Sequence, residues 1–286
     1  PITSSTAYQY VKVVCARTPA KEWMFLGEIQ VAAAGDVDDE YTVALLHFDG
    51  SDSGIVFSDE ANTAIVRLGD SQTKTAIKKF GTASGYFDGN GDAVYLGNSP
   101  EFNFGSGDFT VDWWEYRTSN ADAKTAIARH SNTCAFLLGY SNNGDNILCY
   151  MSSNGTSWDI ADAKIFGAVE LNAWHHFAVC RSGNNFYLFR DGVAGDSWTS
   201  SAALYAGVSP LQIGRFNNTY FAGYIDELRI SKGIARWTSE FTPPSTPYGG
   251  AAPPAAAGSV YWASALRPCR LTVSMPSSVV AVIFNR

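Results

Sequence analysis

Phe221-Ala-Gly-Tyr-Ile-Asp-Glu-Leu-Arg-Ile230 is the stretch on which the reading of this chain turns. Taken with the two-residue period of a strand, Tyr224, Asp226, Leu228 and Ile230 share one face, and Ile225, Glu227 and Arg229 share the other. Gly223 stands just before the run, where a strand needs a bend or a close backbone approach. An aspartate on the apolar face of a strand must be tied to donors or to a cation, because a buried carboxylate without partners is costly. The expectation is a closing strand that pairs with an opening strand near Leu45 and completes a sandwich, with Asp226 held by something.

Working outward, strand signals follow one another from Tyr41 onward. Thr42 to Phe48 opens the series and ends in Asp49-Gly50. Residues 84–96 read as two short strands around the tight turn of Tyr86-Phe-Asp-Gly-Asn-Gly-Asp92. Phe109 to Arg117 is strongly apolar and carries Trp113 and Trp114. Runs at 125–129, 135–140, 147–151, 176–181, 186–190 and 211–214 continue the pattern, separated by turn chemistry such as Arg190-Asp-Gly-Val193. Short strands, polar turns and almost no helical period indicate an all-β, two-sheet antiparallel jelly-roll sandwich with short extra β segments at both termini. Ser231 to Trp237 is the one place where a short helical turn is expected.

The flanks differ in character. Residues 1–40 hold two strand-like runs, Tyr8 to Cys15 and Trp23 to Val31, followed by the acidic linker Ala32 to Glu40. Residues 41–248 form the sandwich. Residues 249–286 begin as a Pro/Ala-rich linker and end in β-like runs at 260–263, 271–274 and 279–284. Three placements stay open for that apolar end: a return to the sandwich, pairing with residues 8–31, or exchange into a neighbouring subunit of a homo-oligomer.

Composition narrows the function classes. The 286 residues carry a net charge of −7 with no long basic run, so nucleic acid is not an expected partner. No uncharged apolar run is long enough to cross a bilayer, so no membrane insertion is expected. The chain starts Pro-Ile-Thr-Ser-Ser, without an initiator Met or a leader, and is read as a processed chain or a fragment. Five scattered cysteines lack metal or redox spacing, which fits folding in a reducing cytoplasm.

Ordered pieces from Thr42 to Tyr248 resemble the laminin-G-like branch of the concanavalin A-like lectin/glucanase superfamily. They are Leu46-His-Phe-Asp-Gly50, Phe87-Asp-Gly-Asn-Gly-Asp-Ala-Val-Tyr-Leu96, Gly107-Asp-Phe-Thr-Val-Asp-Trp-Trp114, Asn172-Ala-Trp-His-His-Phe-Ala-Val179 with Phe186-Tyr-Leu-Phe-Arg-Asp-Gly192, and Leu211-Gln-Ile-Gly214 with the closing strand. Ile234-Ala-Arg-Trp-Thr-Ser-Glu-Phe-Thr-Pro-Pro244 is similar to tails found in tailed-phage virion proteins. The resemblance implies a structural calcium at Asp49 and Asp226, where opening and closing strands meet; hydrogen bonding of both carboxylates to the backbone is the competing role.

Sugar binding is a further expectation of the family. Asn142, Asn143, Asp145 and Trp158 on one side, and Trp198, Asn217, Asn218 and Tyr220 on another, combine aromatic faces with amide donors. Enzyme activity is not expected: Asp112 with Glu115, and Asp226 with Glu227, stand at odd spacings that send paired carboxylates to opposite faces of a strand. All four histidines read as structural. The function expected is a non-enzymatic adhesion module on the surface of a phage virion, in a tail or head fibre, binding host surface glycans beside other virion subunits. The alternative is a decoration subunit whose terminal strands mediate assembly. Outside a virion the expected location is extracellular.

Overall fold

A computed structural model describes residues 12–16, 29–31, 41–61, 63–120, 124–130, 133–141, 144, 146–249, 270–274 and 282–284. Two compact units emerge, Asp38–Tyr248 and a second made of Pro1–Val37 with Gly249–Arg286. In the second unit β1 (Lys12–Ala16) and β2 (Ile29–Val31) are each antiparallel to a strand from the other end of the chain, Arg270–Ser274 and Val282–Phe284 respectively. Among the described residues, parts of the N-terminal and C-terminal β runs thus pair with one another, and the expected run at 260–263 lies outside the described residues.

In the sandwich unit the chain runs β3 (Thr42–Leu46), β4 (Ile65–Leu68), β5 (Gln72–Lys74), β6 (Ser84–Asp88), β7 (Ala93–Leu96) and β8 (Phe109–Arg117). It continues through β9 (Ile127–His130), β10 (Cys134–Ser141), β11 (Asn146–Met151), β12 (Ala161–Ala168) and β13 (Trp174–Ser182). Then come β14 (Asn185–Arg190), β15 (Val193–Thr199), β16 (Leu211–Ile213), β17 (Arg215–Phe216), β18 (Thr219–Tyr220) and β19 (Ala222–Lys232). One sheet has seven strands in the order β12-β11-β10-β9-β16-β7-β4. The other has eight, β15-β14-β13-β8-β19-β6-β5, with β3 also bonded to β19. Every pairing is antiparallel, and Arg229 faces Leu45 across β19 and β3, so the closing strand does lie beside the opening one.

The inner faces meet in one aromatic core. Trp113 stacks on Phe177 at 5.5 Å and meets Phe166 edge-on at 5.7 Å, while Phe104 stacks on Phe109 at 4.4 Å. Offset and edge-on arrangements of this kind add stabilisation beyond the area they bury. Within the same core Glu115 accepts from Arg117 Nε at 2.9 Å and from Trp113 Nε1 at 3.0 Å, which makes the inward carboxylate tolerable.

Three expectations from the sequence are corrected. First, strict alternation fails at 225–230. A bulge between Asp226 and Arg229, with Glu227 at φ +49°, inserts an extra residue. Ile225, Leu228 and Ile230 thus all enter the core, and Asp226 turns to the outer face with Glu227, so this adjacent pair does not split between faces. Second, the strands flanking the 86–92 turn are no hairpin: β6 belongs to the eight-stranded sheet and β7 to the seven-stranded one. Asp92 fixes that corner by accepting from the N–H of Asp70 at 2.7 Å and of Asp88 at 3.0 Å. Third, no helical turn forms at 231–237. β19 runs on to Lys232, and the only helical element among the described residues is a short 3-10 turn at Pro100–Phe102. No helix among the described residues is long and apolar enough to cross a membrane.

Candidate functional site

The two outer faces of the sandwich differ in cover. On the eight-stranded sheet, the segment that leaves β19 folds back as a roof. Trp237 stacks on Phe241 at 4.0 Å, and both stand edge-on to His176. Beneath them Arg229 donates to both oxygens of Asp112 at 3.1 Å, and His176 Nε2 is 3.0 Å from the Tyr248 hydroxyl. The Tyr248 ring covers the Arg229 guanidinium at 4.0 Å, and its N–H donates to Glu227, which also pairs with His47. Burial pushes the Asp112 carboxyl up, yet Arg229 and His176 together overcome it and hold it at about 2. The roof covers this part of the sheet with the protein's own chain.

Asp226 lies at the edge of that network. Its Oδ2 accepts from the backbone N–H of Lys79 at 2.8 Å and of Phe80 at 3.1 Å, while Oδ1 is buried without a partner. Burial pushes its pKa up to about 8 despite the two N–H donors. Asp49, on the adjoining loop, accepts from the N–H and hydroxyl of Thr82 and from Ala83 N–H. The structure thus brings Asp49 and Asp226 near one another and gives both carboxylates backbone donors. Asp226 Oδ1 is the atom that a cation, or a proton, would satisfy.

The outer face of the seven-stranded sheet is different. Cross-strand register sets Tyr150, Leu137, Ala128, Gln212, Tyr95 and Val66 in one row across six strands. Alternation explains it, because the neighbours of these residues (Ile147, Cys149, Leu211, Ile213, Val94, Leu96) point into the core. Above the row runs an aromatic strip of half-buried rings. Trp158 lies 5.4 Å from Tyr150, Tyr150 5.4 Å from Tyr140, Tyr140 6.4 Å from Phe216, and Phe216 4.8 Å from His130.

The strip ends at a cavity of about 510 Å³ lined by Tyr95, His130, Gln212, Arg215, Asn217 and Asn218. The hairpin of β17 and β18 builds its rim, turning on Asn217 at φ +54°, a conformation that asparagine accepts more readily than most residues. Arg215 is held rigidly: Nε donates to the Asn217 carbonyl at 2.6 Å, Nη1 donates to the Tyr95 hydroxyl at 2.6 Å, and Tyr220 lies under the guanidinium at 5.5 Å. Gln212 is fixed by donating to the His130 carbonyl at 2.6 Å. Burial, with Arg215 nearby, lowers the His130 pKa and favours the neutral imidazole.

Of the residues singled out from sequence, Trp158, Asn217, Asn218 and Tyr220 meet on this face. Trp198 belongs to the other sheet, on β15, where it stacks on Phe186 at 5.0 Å and packs against the core. Asn142, Asn143 and Asp145 lie outside the described residues. Tyr95, Tyr140, Tyr150, His130, Gln212, Arg215 and Phe216 were missed. Their signal was present: Tyr95, Tyr150 and Gln212 are the outward members of short strands whose alternate positions are apolar.

A laminin G family model described as the Concanavalin A-like lectin/glucanases superfamily matches residues 88–237. The chain belongs to this superfamily. No curated protein sequence matches it. Among solved structures this superfamily member is similar to domain 4 of AbnA, an extracellular arabinanase from Geobacillus stearothermophilus in complex with arabinotriose. That pair is 18% identical with a TM-score of 0.52, over 68% of this chain and 94% of the other. It is similar also to the binding domain of Paraclostridial Mosquitocidal Protein 1, at 17% identity and a TM-score of 0.51, over 68% of this chain and 50% of that one. The binding domain of botulinum neurotoxin DC in complex with SialylT gives 12% and 0.52, over 68% and 49%. The lectin-like sandwich therefore spans about half of each toxin binding domain, and the likeness is one of fold.

Proposed function

We propose that the sandwich is a non-catalytic glycan-binding module whose sugar site is the open outer face of the seven-stranded sheet. The observation that carries this reading is the aromatic strip from Trp158 to Phe216 leading into a cavity edged by amides. Aromatic faces stack on the apolar faces of sugar rings, and amides and phenols take up the hydroxyls. Two of the similar structures, the arabinanase domain and a toxin binding domain, hold a sugar by their own description. Glycoside hydrolysis needs two carboxyl groups flanking the bond, about 5–10 Å apart. The described residues lining this cavity include none.

On this reading the chain serves as an adhesion module, and the setting we propose for it is the surface of a phage virion, with bacterial surface glycans as target. The tail motif similar to virion proteins supports that setting; in the fold it supplies the roof residues Trp237 and Phe241. The alternative is a decoration subunit whose terminal strands mediate assembly, and the segments it would use are the paired runs at 12–16 with 270–274 and 29–31 with 282–284.

A glycan array probed with the full chain, wild type and Trp158→Ala with Tyr150→Ala, tests the site. Each stacking face removed should weaken binding about fivefold to a hundredfold, using the magnitude for base-on-aromatic stacking as a guide, at little cost in melting temperature. Binding that survives both substitutions unchanged would move the site elsewhere.

A further inference from the structure

We propose that the cavity at the end of the strip selects an acidic sugar, one whose ring bears a carboxylate, and that Arg215 is the residue that selects it. This rests on the glycan-binding reading of the same face. The protein carries a net charge of −7, yet among the described residues the cavity that its aromatic strip leads into is lined by a cation, neutral amides, a phenol and an imidazole, with no acid. No carboxylate pairs with Arg215 among the described residues: its partners are a backbone carbonyl, a phenol and an aromatic face.

A half-buried guanidinium without a counter-ion keeps an appetite for one. Its geometry says what shape of anion fits. A guanidinium has five N–H donors in a plane; Nε and one hydrogen of Nη1 are committed, to Asn217 and Tyr95. Both N–H groups of Nη2 and one of Nη1 are uncommitted among the described partners, and a carboxylate gripped through both oxygens takes two such parallel donors. Because Tyr95, Tyr220 and the Asn217 carbonyl already hold the side chain, little freedom is lost on binding. His130 adds no second charge at neutral pH, since burial and Arg215 both disfavour its protonation. The cavity is thus built around one fixed positive charge, suited to one carboxylate, with Asn217, Asn218 and Gln212 placed for neighbouring hydroxyl or acetamido groups.

Two kinds of sugar present this chemistry, uronic acids within a polysaccharide and sialic acids at a glycan end. Calorimetric titration of the full chain with four probes separates them: tetragalacturonate and its carboxyl-reduced neutral form, and 3′-sialyllactose and lactose. In at least one pair the acidic member should bind about tenfold to a hundredfold tighter than its neutral partner, the ratio expected for a charge-assisted hydrogen bond. Arg215→Gln should erase that ratio while leaving the neutral member within about twofold, and Arg215→Lys, which keeps the charge but not the fork, should fall between. Melting temperatures of both variants report whether the hairpin still folds, and the comparison of probes on the wild type needs no variant at all.

Equal affinity for the members of both pairs overturns the selection of acidic sugars and leaves the glycan site standing. Loss of acidic and neutral binding together in Arg215→Gln also overturns it, making Arg215 a structural clasp for the hairpin. Failure of all four probes with neutral glycans still captured on an array has the same meaning. No sugar binding of any kind removes the glycan reading as well.

Discussion

Replacing Asp226 with Asn should raise stability at neutral pH and flatten its dependence on pH. Burial lifts this carboxyl to about 8, so the folded chain keeps a proton that the unfolded chain releases at ordinary carboxylate pH. A folded-state pKa raised in this way contributes stability that is full below the unfolded value and is lost as the pH climbs towards about 8. Between pH 5 and pH 7 one such proton changes stability by about 2–3 kcal/mol. For a unit of this size that corresponds to about 5–10 °C in melting temperature. Asn suits the site because its oxygen still accepts from Lys79 and Phe80 N–H, and its amide nitrogen stands where the proton on Oδ1 was. His47 and Asp92 are also raised, but they titrate in both proteins, so the difference between the two pH curves isolates Asp226. Calorimetric melts of wild type and variant at pH 5, 6 and 7 in metal-free buffer measure it. Parallel curves would refute the reasoning. A wild type destabilised by chelator and restored by calcium, with a variant less stable at pH 7, would show instead that a cation sits on Oδ1.

Asp112→Asn strips the buried Arg229 of its counter-charge and should cost about 3–5 kcal/mol by urea unfolding. The Asp112 contribution, from a pKa held at about 2, is present at neutral pH and lost as pH falls towards that value, so wild type and variant should converge in acid. Gly192→Ala drives a Cβ into the Phe241 carbonyl oxygen at a residue with φ +76°; it should cost about 2–4 kcal/mol and shift the fluorescence of Trp237, which stacks on Phe241, as the roof lifts. Burial pushes the Cys134 thiol up to about 12 and that of Cys180 up to about 11, and Cys149 is raised further. All three should resist iodoacetamide in the native protein and react only in denaturant, as read by peptide mapping.

Central strands were legible because both faces of each carry a pattern. Phe109–Arg117 was bounded correctly from its apolar run, and the pairing of the closing strand with residues near Leu45 followed from its place in the series. The edge strands were not. Ala161–Ala168, Val193–Thr199, Ile65–Leu68 and Gln72–Lys74 lie at or next to sheet margins, where exposed and polar positions blur the alternation. The bulge at Asp226 defeated the face assignment because a single inserted residue reverses every side chain after it. Much of the candidate site depends on register between strands far apart in sequence. Tyr95, Gln212 and Tyr150 come from three separate stretches, and only the sheet order puts them in one row. Trp158 and the Asn217-Asn218 turn stood out by composition, whereas Trp198 had the same composition and lies on the other sheet.

Tyr41 and Tyr248, the residues at which the sandwich begins and ends, both belong to its eight-stranded side: Tyr41 accepts from Lys232 N–H and Tyr248 packs on Arg229. The cavity opens on the opposite side. The points at which the chain enters and leaves the sandwich therefore lie on its roofed side, clear of the aromatic track.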